Sequence, residues 1–395
     1  MQDVASSNFE VQGTNHAQFE HVREVFTRHF TDLDELGASV AVTLGGNLVV
    51  DLWGGWKDKA RTQPWTRETR APMFSGTKAI TGLCFAMAID RGLSKYEDRV
   101  SQYWPEFGAA GKESITIAQL LSHQAGLTGW VEPMTIDDML STQIATSRLI
   151  GQAPFWPPGT ACGYHAFSTG PIATILFKRI EGRTIRQFVA EEIARPFDLA
   201  VSIGLEPGAF EQAAEVVRVD QGFELGRFFH VEGSVTASKP QNSNLSPAQA
   251  AVLNPAFDAR YTNLPNWRAA DLPSANGFGN ARSLAELYAL VLGHSRNGKR
   301  LARPEVMAEA TRVRAEGIDQ VKNVPVRWSA GFSVNEGGLY GPNPDTFFHA
   351  GMGGTFSLGD RLADITVSYT PNRVGDLFER EPRRRGLVNA VYECL

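Results

Sequence analysis

The sequence predicts an α/β protein of the α+β kind: an antiparallel sheet assembled from both ends of the chain, flanked by terminal helices, with a mainly helical subdomain inserted between. Three observations predict it. Apolar residues alternate with period two near the N-terminus and again after residue 325, the helical period dominates from about 78 to 290, and a helical stripe accompanies each strand-rich end. Over 395 residues this reads as a single domain, 1–395. Residues 1–74 and 293–395 form its sheet part and residues 75–292 its helical part.

Phe19, Val22, Val25, Phe26 and Phe30 fall at three- and four-residue spacing among charges, the stripe of a helix over 17–36 that packs on a flat surface. Residues 38–44 and 48–53 are β-rich runs joined by Gly45-Gly46-Asn47, which supplies the positive φ of a tight hairpin. Helices are predicted over 79–91, 115–122, 184–194 and 283–292, the last opened by a capping box of Ser283 and Glu286. The prolines of 201–275 suggest long irregular connections, which in a compact enzyme shape a pocket mouth. Strands are predicted over 326–334, 346–351, 354–359 and 363–369, and a helix over 384–392 closes the chain.

Composition narrows function. With 38 Lys+Arg against 43 Asp+Glu, the net charge of −5 offers no basic surface for nucleic acid. The Arg383-Arg384-Arg385 run beside Glu379 and Glu381 reads as a solvated helix start with no partner. Cys84, Cys162 and Cys394 are too dispersed for a disulfide framework and read as reduced, buried thiols. The longest apolar run, Leu83 to Ile89, is too short to cross a membrane. The first twenty residues carry Asp3, Glu10 and Glu20 and no apolar core of a secretory signal, so a cytoplasmic location is expected.

None of the eight histidines forms HExxH or HxH, so neither a metal nor another cofactor is expected; G-x-S-x-G and a nucleotide P-loop are also absent. Phe74-Ser75-Gly76-Thr77-Lys78, ahead of an apolar helix, is the motif that offers chemistry. Three residues are nearly one helical turn, so Ser75 and Lys78 face the same way at a helix N-terminus. A hydroxyl needs a base, a lysine among apolar residues loses part of its preference for charge, and free helix amides favour an oxyanion. Taken alone, S-x-x-K is also a common helix start.

Four ordered motifs make the pattern specific: Phe74 to Lys78; Leu120-Leu121-Ser122-His123-Gln124-Ala125-Gly126-Leu127; Pro158-Gly159-Thr160 before Tyr164; and His349-Ala350-Gly351. Over about residues 20–390 the chain resembles the serine β-lactamase-like family, and within it the family VIII carboxylesterases, which share the fold of class C β-lactamases and D-alanyl-D-alanine peptidases. The resemblance implies that Ser75 is the acylated nucleophile, Lys78 its base and Tyr164 the proton relay. It also implies an oxyanion hole from the backbone amides of Ser75 and Met352, and a substrate wall at His349, Ala350 and Gly351. Trp156 is expected to contact substrate, and His123 to tie its loop to backbone.

Two positions depart from the lactamase pattern. Tyr-x-Asn is here Tyr164-His165-Ala166, and Lys-Thr-Gly is His349-Ala350-Gly351, so an amide, a cation and a hydroxyl that would hold a peptide-like anionic substrate are missing. An ester, with its better leaving group, is the expected substrate. The alternatives are a β-lactamase, amidase or acyltransferase of the same fold, and, more remotely, a non-catalytic binding protein.

Overall fold

The computed structural model describes residues 10–218, 245–374 and 382–395. Its main sheet has nine antiparallel strands in the order β1-β3-β2-β13-β12-β11-β10-β9-β8. These are β1 (Gln12–Asn15), β2 (Gly37–Leu44), β3 (Asn47–Gly55), β8 (Ala315–Ile318), β9 (Pro325–Trp328), β10 (Ser333–Val334), β11 (Phe347–Ala350), β12 (Phe356–Asp360) and β13 (Ile365–Pro371). The N-terminal hairpin joins the C-terminal strands where β2 pairs β13, Val42 opposite Val367. Both chain ends therefore build one sheet. A smaller sheet, β4 (Ala71–Phe74), β7 (Gly277–Gly279) and β5 (Val201–Ile203), carries the site and was not visible in the sequence.

Strand alternation decides what covers each face. On one face Val40, Val42, Val367, Tyr369 and Leu358 meet Phe19, Val22 and Phe26 near α1 (Glu20–Asp32), together with Leu387, Val388 and Val391 of the C-terminal helix, α5 (Pro382–Glu393). The opposite face is small and hydroxylated, which lets α4 (Ala281–Leu292) lie close. Thr43 bonds Thr366 at 2.7 Å, Thr366 donates to the Ala285 carbonyl at 2.9 Å, and Ala41 packs on Ala281 and Ala285. Asn280 caps α4, accepting from Ser283 N–H at 2.9 Å, whereas the predicted cap was Ser283. The hydroxyl of Ser283 instead accepts from Ala200 N–H at 2.9 Å.

The helical part centres on α2 (Thr77–Asp90), buried nearly all round, with α3 (Thr169–Glu181) beside it. The predicted strand 326–334 is broken at 329–332, where Ser329 N–H donates to the Phe332 carbonyl in a turn. Within 201–275 the described residues include β5, β6 (Val217–Arg218) and the helix Pro247–Val252; residues 219–244 lie outside them, as do Glu379 and Glu381. Cys84 and Cys162 are buried, and Cys394 is only partly so. Among the described residues no helix is long and apolar enough to cross a membrane.

Of the arginine run only Arg385 is exposed to solvent as expected. Arg383 and Arg384 are buried, and Arg383 forms an ion pair with Glu35 at 2.5 Å. The burial comes from the packing of α5 over the sheet, information that the local charge pattern does not hold.

Candidate active site

Ser75 sits at a sharp turn between β4 and α2. Phe74 has φ of 47°, a left-handed value that costs a non-glycine residue on the order of 1 kcal/mol. The turn is held by Thr77 Oγ1, which donates to the Phe74 carbonyl at 2.5 Å, and by Gly76 N–H on the Met73 carbonyl at 2.9 Å. The geometry lifts Ser75 Oγ away from the strand and into a cavity of about 460 Å³. Ser75 is half-buried, and its hydroxyl engages Lys78 and Tyr164.

Lys78, 3% exposed, lies one turn along α2. Its Nζ is 2.7 Å from the Ala166 carbonyl, 2.8 Å from the Ser274 carbonyl and 3.3 Å from Ser75 Oγ. Burial, with the charge of Lys322 added, holds its pKa well below the ordinary lysine value. A neutral amine has two hydrogens and one lone pair. The two carbonyls can only accept, so they take both hydrogens and leave the lone pair for the Ser75 hydroxyl.

Tyr164 Oη is 2.5 Å from Ser75 Oγ. Its pKa is pushed up mainly by burial, opposed by its bond to Ser75 and reinforced by Asp319, so the phenol keeps its proton. Two side chains that the sequence did not single out fix this ring. Trp328 stacks on it with centroids 5.7 Å apart and planes at 14°, and Lys322 Nζ stands 4.9 Å from its centroid. Both connect to Asp319, a fully buried carboxylate. Asp319 Oδ1 accepts from Tyr164 N–H at 3.0 Å, Val321 N–H at 2.9 Å and Lys322 N–H at 2.9 Å, while Oδ2 accepts from Trp328 Nε1–H at 3.2 Å. No local motif announces Asp319, because the partner that gives it a place in the site, Tyr164, is 155 positions away.

The histidines behind this set are uncharged. His165 is lowered to about 3 by burial, and its Nε2 accepts from Leu127 N–H at 2.9 Å while Nδ1 donates to the Gly163 carbonyl at 2.7 Å. His123 Nδ1 accepts from His165 N–H at 3.2 Å, which ties its loop to backbone. His349 lines the cavity and is lowered to about 3 by burial and then by Lys78. Its Nδ1 faces the Ala350 carbonyl at 2.9 Å and therefore carries the hydrogen, so Nε2 is a bare acceptor rather than the cation of the lactamase pattern.

Ala166, Ala350 and Met352 line the cavity together with Phe74, Phe167, Phe257, Val326 and Phe348. Gly351 and Trp156 do not. A Cβ on Gly351 would fall 2.2 Å from the Met73 carbonyl, so only glycine lets the end of β11 press against the strand leading to Ser75 and bring Met352 alongside. Trp156 packs instead edge-on to His165 at 6.5 Å and against Gly163, in a loop that Phe155 N–H ties to the Gly126 carbonyl at 2.8 Å. Among the described residues no three His, Cys, Asp or Glu side chains are grouped to hold a metal ion.

Comparison with known proteins gives a consistent picture. The beta-lactamase family profile matches residues 23–391. "Esterase/beta-lactamase LipL" of Mycobacterium tuberculosis is 30% identical over 368 residues, covering 92% of this chain and 83% of the relative. A crystal structure of a family VIII carboxylesterase is 36% identical with a TM-score of 0.88, covering 98% of this chain and 100% of the other. A penicillin-binding protein homolog from Caulobacter crescentus is 33% identical with a TM-score of 0.87, again covering 98% and 100%. The fold and these likenesses together establish that the chain belongs to the beta-lactamase family.

Proposed function

We propose that the protein is a serine carboxylesterase that hydrolyses small or medium acyl esters through an acyl-Ser75 intermediate. The observation that carries this reading is the set of oxygens around Lys78: with two carbonyls taking hydrogens, the lone pair of the amine, once it is neutral, faces the serine hydroxyl. Lys78 takes the Ser75 proton as Oγ attacks the ester carbonyl. The N–H groups of Ser75 and Met352 receive the oxyanion. As the tetrahedral intermediate collapses, the C–O bond to the alcohol breaks, Tyr164 gives its proton to the departing alkoxide, and protonated Lys78 returns one to Tyr164. In deacylation water adds to the acyl group, losing its proton to Lys78 through Tyr164, and the C–Oγ bond breaks as Ser75 recovers a proton.

The preference for esters rests on Ala166 and Ala350, which face the cavity where an amide and a hydroxyl would hold an acylamino or carboxylate group. The neutral His349 supplies no cation there. Short nitrophenyl esters should therefore exceed nitrocefin and benzylpenicillin in kcat/KM by at least about a hundredfold, roughly 2.7 kcal/mol of transition-state binding. Equal rates on penicillins would replace the esterase reading with a lactamase one and leave the Ser75 chemistry standing. An inert Ser75 would favour the non-catalytic alternative.

A further inference from the structure

The loop that carries Met352 (351–355) is held from the far side of the sheet by two arms that converge on one buried carboxylate, Glu35. In the first arm Arg383 Nη1 lies 2.5 Å from Glu35 Oε2 and its Nη2 donates to the Gly353 carbonyl at 3.0 Å, one residue beyond Met352. In the second, Tyr369 Oη donates to the same Glu35 oxygen at 2.5 Å, while the Tyr369 carbonyl accepts from Thr355 Oγ1 at 3.0 Å. The Thr355 carbonyl in turn accepts from Gly351 N–H at 2.8 Å. Leu36 N–H occupies the other Glu35 oxygen at 3.0 Å.

The ion pair is sealed, with side-chain exposures of 2% for Arg383 and 0% for Glu35. A buried pair is a weak way to gain stability, since apolar side chains of the same volume often do as well. It is a good way to fix geometry, because a planar guanidinium that binds a carboxylate and a carbonyl together has little freedom. The backbone it fixes needs holding: Gly353 has φ of 81°, and a Cβ there would lie 3.2 Å from Val374 Cγ2.

We propose that Glu35 and Arg383, with Tyr369, are positioning residues for the oxyanion hole: they set the direction of the Met352 N–H from outside the cavity. The proposal rests on the esterase reading above. Hydrogen bonds aimed at a developing oxyanion are worth most when their donors are already oriented, so a small loosening of this loop lowers kcat more than it changes KM.

The test is the ratio of kcat/KM for a nitrophenyl ester to that for its thionoester, whose sulfur is a poor acceptor for oxyanion-hole donors. Arg383→Lys keeps a positive charge for Glu35, but one ammonium cannot also reach Gly353 in the same geometry. The expected result is a kcat at least tenfold lower, a KM within about twofold of wild type, and an ester-to-thionoester ratio reduced by a similar factor. Tyr369→Phe removes the second bond to Glu35 while keeping the ring and should move the ratio the same way by less, and it carries the test if Arg383→Lys does not fold. A ratio equal to wild type in whichever folded variant is measured, however much activity or thermal stability is lost, would overturn the proposal and leave a purely structural ion pair. Wild-type enzyme that cleaves no ester and takes no acyl group on Ser75 would instead defeat the esterase reading.

Discussion

Replacing Asp319 by asparagine tests how the fold holds its proton relay. The carboxylate is fully buried and accepts four N–H groups, from Tyr164, Val321, Lys322 and Trp328. Alanine would strip all four; at about 1 kcal/mol or more for each stranded donor that is roughly 4 kcal/mol, a large part of a typical stability of about 5–15 kcal/mol. Asparagine is the sharper perturbation. Its oxygen can keep the three backbone donors at Oδ1, while its NH2 must then face Trp328 Nε1–H, donor against donor. One lost bond and one stranded indole N–H cost about 1–3 kcal/mol. Trp328 stacks on Tyr164, so the change also loosens the ring that bonds Ser75. Removing the Asp319 charge also shifts the Tyr164 pKa downward, because that charge is one of the causes that raise it. Urea unfolding should show the loss of stability, and ester turnover should show kcat reduced about tenfold or more with a smaller change in KM. Unfolding within about 0.5 kcal/mol of wild type, together with unchanged kcat, would refute the reasoning.

Lys78→Ala and Tyr164→Phe should each lower kcat by orders of magnitude, and the double variant should lose much less than the product of the two, because both groups move the same proton; full additivity would separate them. The Lys78 pKa is depressed from 10.5, so activity should already be present well below that pH and fall on the acid side as Lys78 protonates, and a requirement for pH near 10.5 would contradict a neutral base. Stability should also depend on pH. His29, His165 and His349 are each lowered from 6.5 to about 3, so the unfolded chain binds more protons between those values. Stability should be level in this respect above about pH 6.5 and fall as pH drops toward 3, by up to roughly 1.4 kcal/mol per pH unit for each histidine. Urea midpoints that stay constant from pH 7 to pH 4 would show that these rings are not held neutral.

What the sequence disclosed follows the range of the interactions. Ser75 and Lys78 were legible because one helical turn fixes their relation, and the hairpin 37–55 because alternation and its glycine turn are local. The sheet built from both ends was legible because strand period and terminal helices agreed. Asp319 was not, since its role is defined by Tyr164, 155 positions away. Arg383 was misread for the same reason: its counter-ion Glu35 is 348 positions away, and neighbouring glutamates gave the run a solvated look. The short strand β5 was hidden among prolines, being a strand only because β7 lies beside it. Trp156 was expected to contact substrate, but its ring packs edge-on to His165 and against Gly163.

The central claim, that Ser75 is the residue acylated, is tested most directly by intact-mass analysis after reaction with a slowly turned-over nitrophenyl ester, followed by peptide mapping. The account predicts one added acyl group per chain, on the peptide containing Ser75, and none on Ser75→Ala protein whose unfolding curve matches wild type. An acyl group on any other residue, or turnover that persists in Ser75→Ala, would contradict it.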